Sequence, residues 1–135
     1  MTDDRRRILL STLWTFVLLN ILFRDVHELF RPGVLDAMAS GFMNGRQVTE
    51  QVMLAGAIAV ELMIVMVILS QILPQSLARW GNVAIAAIAA LGQISLGTND
   101  LDDGFFLIME LAGLAGIFYL AITWRKNVNR IKKAA

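Results

Sequence analysis

Four long apolar segments constrain this chain more than any other feature of its sequence. A helix rises about 1.5 Å per residue, so about 20 apolar residues are needed to cross the roughly 30 Å hydrocarbon layer of a membrane. Segments 51–73, 80–99 and 104–124 meet that length with at most one charge each, and segment 8–23 meets it when it extends to residue 30. With 57% hydrophobic residues, the chain carries more apolar surface than a soluble domain of 135 residues usually buries.

The sequence therefore predicts an all-α protein, an antiparallel four-helix transmembrane bundle that forms a single membrane domain over residues 1–135. The predicted helices cover approximately residues 8–30, 50–73, 78–98 and 103–125. Their connections are short, so consecutive helices should be antiparallel neighbours.

Turn and capping residues predict where these helices end. Arg31-Pro32-Gly33 stops the first helix, Asn44-Gly45 marks a turn in the longest loop, and Pro74 ends the second helix. The candidate N-caps are Thr49 for the second helix, Ser76 for the third, and Asn99, Asp100, Asp102 or Asp103 for the fourth.

Basic residues predict the orientation, because loops on the cytoplasmic side carry an excess of Lys and Arg. Placing both termini inside a bacterial cytoplasmic (inner) membrane puts most of the 12 Lys and Arg on the cytoplasmic side. These are Arg5, Arg6, Arg7, Arg79, Arg125, Lys126, Arg130, Lys132 and Lys133. Trp14, Trp80 and Trp124 also fall near that boundary, where indole rings favour the interface.

Each predicted helix carries a polar stripe, and ionisable residues inside a membrane indicate a functional site. From the outer ends of the helices, Glu110 lies about 10 Å deep, Asn20 about 15 Å and Glu61 about 20 Å. We therefore predict a polar pocket that opens to the outer side, in which Arg24 pairs with Glu61 or Glu110. The predicted pocket residues are Asn20, Arg24, His27, Glu28, Glu61, Gln93 and Glu110.

Structural interpretations of the same residues stay open. Asn20, Asn82 and Gln93 are also typical of hydrogen bonds that fix helix register. The charges of Arg24-Asp25-Val26-His27-Glu28 are also typical of a solvated helix end at the interface. Three functions follow: binding or transport of protons or a small polar or amphipathic ligand, an accessory subunit of a membrane complex, or an enzyme that uses His27 on a lipid or quinone.

Several classes of site find no support in the sequence. One histidine and no cysteines exclude a thiolate site and a multi-histidine metal site within one chain, and no cofactor or catalytic motif is predicted. The net charge of +1 gives no basic face for nucleic acid. The predicted partners are membrane lipid and a second copy or another membrane protein, bound through the third helix, where Ala86 and Ala90 form a small-xxx-small pattern.

A longer set of motifs resembles a family of short bacterial four-helix membrane proteins of unknown function. The resemblance rests on the run from Leu13 through Arg24-Asp25-Val26-His27-Glu28 to Gly33, and on three later segments. These are Val48-Thr49-Glu50, Arg79-Trp80-Gly81-Asn82 and Asp100-Leu101-Asp102-Asp103. In layout the chain is more distantly similar to DoxX-like membrane proteins. The resemblance implies the architecture and the bacterial membrane, and it implies no activity or catalytic residue.

Overall fold

The structure is a computed structural model that describes residues 1–43 and 46–125, without the side chain of Arg46. The turn predicted at Asn44-Gly45 and the basic residues Lys126, Arg130, Lys132 and Lys133 lie outside the described residues. The helices are α1 (Asp3–Glu28), α2 (Val34–Ala39), α3 (Glu50–Ile72), α4 (Gln75–Leu96) and α5 (Leu101–Ile122). Two short strands, β1 (Phe42–Met43) and β2 (Arg46–Gln47), pair antiparallel.

The predicted fold class is confirmed. The four long helices α1, α3, α4 and α5 are each long and apolar enough to cross a membrane, which makes the chain a multi-pass membrane protein. Around the bundle, α1 packs on α5 and α3, and α4 packs on α5 and α3. The contact between α3 and α4 is the least extensive of these four.

The bundle has two halves that differ in what they bury. The terminal half contains the start of α1, the turn between α3 and α4, and the end of α5. The loop half contains the opposite helix ends, together with residues 29–43, 46–49 and 97–100.

Helix ends follow the expected chemistry at some positions and depart from it at others. Thr49 accepts a hydrogen bond from the Val52 amide (3.3 Å), and Asp100 accepts one from the Asp103 amide (3.0 Å), as N-caps do. The prediction for Ser76 is wrong, since α4 begins at Gln75 after Pro74 and no side chain caps it. Proline suits that place because the first amides of a helix have no intrahelical acceptor.

The first helix starts earlier than its apolar segment does. It begins at Asp3 because Thr2 caps it and two acidic residues occupy its first turn, where negative charge interacts favourably with the helix dipole. The connection from α1 to α3 is also more structured than a plain loop, since it holds α2 and the β1–β2 pair. Neither element is long enough to give a hydrophobic period that sequence analysis would detect.

The terminal half is sealed by an apolar core. The fully buried side chains on α1 are Leu10, Trp14 and Val17, and they meet Ala78 and Ala86 of α4 and Leu114 and Ile117 of α5. Glycine lets α1 and α5 approach closely, because a Cβ on Gly113 would lie 2.6 Å from Val17 Cγ2.

Two tryptophans predicted for the membrane interface belong to this core. Trp14 is fully buried and Trp124 is 1% exposed, whereas Trp80 is largely exposed, with the Arg79 guanidinium 5.0 Å from its ring. Trp14 donates a hydrogen bond from Nε1 to Asn82 Oδ1 (2.6 Å), which satisfies the indole in the interior.

Arginines close the helix ends of the terminal half. Arg7 donates to the carbonyls of Ser70 (3.1 Å), Gln71 (3.0 Å) and Leu73 (2.8 Å) at the end of α3. Arg6 and Arg79 donate to the carbonyls of Leu120 and Ile122 at the end of α5. These carbonyls lack intrahelical donors and carry the negative end of the helix dipole. Three of the basic residues that predict the orientation therefore also have a structural role.

Candidate functional site

Arg24 is the centre of a buried ionic network in the loop half. It lies one turn before the end of α1, and its side chain is 10% exposed. Its guanidinium binds Asp103 through Nε, Glu110 and Gln93 through Nη1 (3.3 Å each), and the Gly97 carbonyl through Nη2 (2.6 Å). One side chain thereby joins α1, α4 and α5, as the planar fork of an arginine allows.

The Arg24–Glu110 pair is one of the two alternatives that the sequence predicts, the other being Arg24–Glu61, and Asp103 is a partner that the sequence analysis did not assign. Asp103 was considered as a helix cap and as part of the polar stripe of the fourth helix, and not as a partner of Arg24, yet its Oδ1 binds Arg24 and its Oδ2 accepts from the Asn99 amide (2.8 Å). The available signal was its spacing from Glu110. Seven residues are about two helical turns, so both carboxylates face Arg24 from the same side of α5.

Glu110 is fully buried, with one oxygen near Arg24 and the other near no donor. Its Oε2 lies 3.3 Å from Arg24 Nη1, whereas Oε1 has no hydrogen-bond partner among the residues that the structure describes. A buried charge in a membrane is stable when it is paired, so Arg24 and Glu110 depend on each other.

A cavity of about 560 Å³ lies beside this network, between α1, α3 and α4. Its walls on α3 and α4 are apolar or small, including Ala59, Met63, Ile85 and Ile88. Gly56 and Gly92 also line it, and a Cβ at either position would meet no atom within 4 Å. The space is therefore wide enough for an apolar chain between the two helices.

One end of the cavity is acidic. Asp25, Glu28 and Asp103 line it there, together with Arg24. Arg24 already donates hydrogen bonds to Asp103, Glu110, Gln93 and the Gly97 carbonyl, so little of its hydrogen-bonding capacity is left for a ligand. Asp25 is exposed and makes no hydrogen bond to a described residue, so its carboxylate is available.

Two further ion pairs, both formed by Arg31, lie in the loop half. Arg31 binds Glu28 (2.6 Å) and Asp100 (3.1 Å), which ties the segment after α1 to the start of α5. The hydrogen bond that Arg31 donates to Glu28 is the main reason that the pKa of Arg31 rises above its usual range, so Arg31 stays charged at every physiological pH.

The other predicted pocket residues lie at different places. Gln93 is buried in the network, and Glu28 lines the cavity while it binds Arg31. Asn20 is half-buried and donates to the Phe16 carbonyl of its own helix (2.8 Å). His27 is exposed, with Nδ1 2.8 Å from the Phe23 carbonyl and its ring 5.2 Å from that of Phe106, and it does not line the cavity.

Glu61 lies apart from all of them. It is exposed on α3, does not line the cavity, and forms no ion pair with Arg24. The buried residues of α3 are Met63, Met66 and Ser70. At about 100° per residue, Ser70 is on the opposite side of the helix from Glu61, so the polar stripe of α3 faces outward.

Asn82 belongs to a separate polar cluster in the terminal half. Its Oδ1 accepts from Trp14 Nε1 (2.6 Å) and Ser70 Oγ (3.0 Å), and its Nδ2 donates to the Ala78 carbonyl (2.7 Å). The cluster joins α1, α3 and α4 and leaves neither amide atom of Asn82 without a partner, which fits the register-fixing role considered above.

Within residues 1–43 and 46–125, no group of three acidic, histidine or cysteine side chains is arranged to hold a metal ion. The arrangement offers instead an apolar space that ends at carboxylates, beside a buried network that holds three helices. An apolar space with a few polar groups is the usual composition of small-molecule sites in proteins.

Comparison with known proteins identifies a family and no activity. The chain belongs to DUF6326, a family of unknown function whose sequence model matches residues 1–130. No curated protein and no solved structure matches it. The resemblance to a family of unknown function is therefore confirmed, and the similarity in layout to DoxX-like proteins stays a prediction.

Proposed function

We propose that this protein binds an amphipathic ligand from the membrane in the cavity between α1, α3 and α4. The observation that carries the proposal is the combination of apolar walls on α3 and α4 with carboxylates at one end of about 560 Å³ of space. Every residue of α3 from Glu50 to Leu62 is exposed. The apolar body of a ligand can therefore reach the cavity sideways from lipid.

The charges at the acidic end favour a cationic or hydrogen-bond-donating head group. An arginine can bind an anionic head group, but the Arg24 guanidinium is already held by Asp103 and Glu110. Asp25 faces the same space and has no partner among the described residues. An ammonium group beside Asp25 would form a charge-assisted hydrogen bond at the point where apolar surface gives way to polar surface.

Thermal unfolding in a neutral detergent tests the proposal, with a long-chain primary amine and the carboxylic acid of the same chain length as probes. A ligand at about 100 times its Kd stabilises the folded state by about 2.7 kcal/mol. We expect the amine to raise the unfolding midpoint and the acid to leave it unchanged. Asp25→Asn should abolish the shift without changing the stability of the free protein.

A matched pair of variants locates the binding. Gly56→Leu fills the cavity, whereas Ala84→Leu adds the same side chain at an exposed position of α4 that does not line it. The first should abolish the shift by the amine and the second should keep it. A shift that survives Gly56→Leu would place the ligand elsewhere. A shift by the acid alone would mean that Arg24 binds the head group.

If neither probe nor a panel of membrane lipids and quinones shifts the midpoint, the accessory-subunit hypothesis replaces this one.

Under the present proposal the protein lies in the bacterial cytoplasmic membrane, with both termini cytoplasmic and the cavity in the outer half. A single cysteine at Ser40 tests that orientation, because a membrane-impermeant reagent should label it in intact cells. Labelling only after lysis would reverse the orientation.

A further inference from the structure

The position of Glu61 sets it apart from every other acidic residue of the chain. It is eleven residues from either end of α3, at the middle of a helix that crosses the membrane. It is exposed, and it makes no hydrogen bond or ion pair with any residue in the described part of the chain. A carboxylate at that depth requires a polar partner, and the bundle supplies none.

The surface around Glu61 is a continuous stripe along the outer side of α3. At about 100° per residue, Leu54, Ala57, Glu61 and Ile68 lie within roughly 40° of Glu61, and all four are exposed. Ala57 is one turn before Glu61 and is the smallest residue of the stripe. A small residue at that position lets a second helix come close to the carboxylate.

A second copy of this chain supplies a matching group at the same depth. Copies of one membrane protein insert in one orientation, so the twofold axis of a dimer runs along the membrane normal. A residue near that axis contacts the same residue of the other copy. A glutamic acid suits such a contact, because its protonated form donates a hydrogen bond to the ionised form in the other copy.

We propose that the protein forms a parallel homodimer through the outward stripe of α3, in which the two Glu61 carboxyl groups share a hydrogen bond in the middle of the membrane. The interface differs from the one predicted on the third span, where Ala86 is buried against the rest of the bundle. None of the four residues of the stripe lines the cavity, although Ile58 beside the stripe does.

Disulfide cross-linking in membranes tests this interface without background, because the chain has no cysteines. Ala57→Cys places a thiol on the stripe, and Ala87→Cys places one at an exposed position of α4 as the matched control. Two cysteines form a disulfide only when their Cα atoms come within about 7 Å. We expect oxidation to cross-link most of the Ala57→Cys protein and little of the Ala87→Cys protein.

Variants of Glu61 in the Ala57→Cys background test the hydrogen bond itself. Glu61→Gln keeps a donor and an acceptor and should keep the cross-link, whereas Glu61→Leu keeps the bulk and should reduce it several-fold. Cross-linking of Ala87→Cys in preference to Ala57→Cys would overturn the interface. A cross-link through Ala57→Cys that Glu61→Leu leaves unchanged would overturn the role of the carboxylate.

Discussion

The two halves of the bundle are held together by opposite kinds of chemistry. In the terminal half most of the buried side chains are apolar, although Asn82 and Ser70 form a small buried polar cluster there, and Arg7 closes a helix end. In the loop half most of the buried side chains are polar, and Arg24, Gln93, Asp103 and Glu110 join three helices. The loop half leaves a cavity where α3 separates from α4, whereas the terminal half packs its buried side chains against one another.

The contrast shows why the network is placed where it is. The part of α3 before Met63 contributes no buried residue, so it does not help to hold the loop half together. The other three helices, α1, α4 and α5, make few apolar contacts with one another at that end. The hydrogen bonds and ion pairs of Arg24 take the place of those contacts. Each half therefore fails in its own way when its chemistry is removed.

The largest effect is expected from Arg24→Ala, which leaves Asp103 and Glu110 buried without a cation. Removing one partner of a buried ion pair costs about 3–5 kcal/mol. The free energy of unfolding in mild detergent measures this, with Arg31→Ala as the control, since its pairs with Glu28 and Asp100 are more accessible to solvent and should contribute less. A loss no larger than that of Arg31→Ala would mean that packing, and not charge, holds the loop half.

Adding one methyl group distinguishes the full half from the open half. Gly113→Ala should destabilise the protein by about 1–3 kcal/mol, because the new Cβ overlaps Val17 and forces α1 away from α5. Gly92→Ala should stabilise it by about 0.5–1 kcal/mol, because the methyl group enters open space and removing a helical glycine lowers the entropy lost on folding. Thermal unfolding of both variants measures the difference, and shifts of the same sign would contradict it.

The smallest effect is expected at a helix end. Arg7→Ala removes three hydrogen bonds to the last carbonyls of α3 and should cost about 1 kcal/mol. Hydrogen exchange should become faster in the last turn of α3 and stay unchanged around Arg24. Arg5→Ala is the control, because the Arg5 side chain makes no hydrogen bond to a described residue. Equal effects of the two variants would remove the capping role of Arg7.

The fold could be predicted because hydrophobic length and turn residues determine it. Four segments of about 20 apolar residues can remove their surface from water only in a membrane. Thr49 and Asp100 mark where two of the helices begin. The pair of Arg24 with Glu110 was also predictable, since a buried cation in a membrane needs an acid and the chain offers few.

The direction in which α3 faces could not be predicted in the same way. Apolar residues surround that helix on every side, so the pattern of its sequence favours no buried face. The polar stripe through Glu61 was assumed to face inward, as it does on α1 and α5. Only the packing of Met63, Met66 and Ser70 against the other helices settles which side is buried.

The order in which the chain is made gives the Arg24 network a further consequence. Its two acidic partners follow Arg24 by 79 and 86 residues. A ribosome that adds about 5–20 residues per second makes them roughly 4–17 s after the arginine. During that interval α1 carries an uncompensated cation at the end of its span, which water or lipid head groups must solvate. The loop half is therefore completed only when the last helix arrives, and a chain truncated before α5 would expose that charge to quality control.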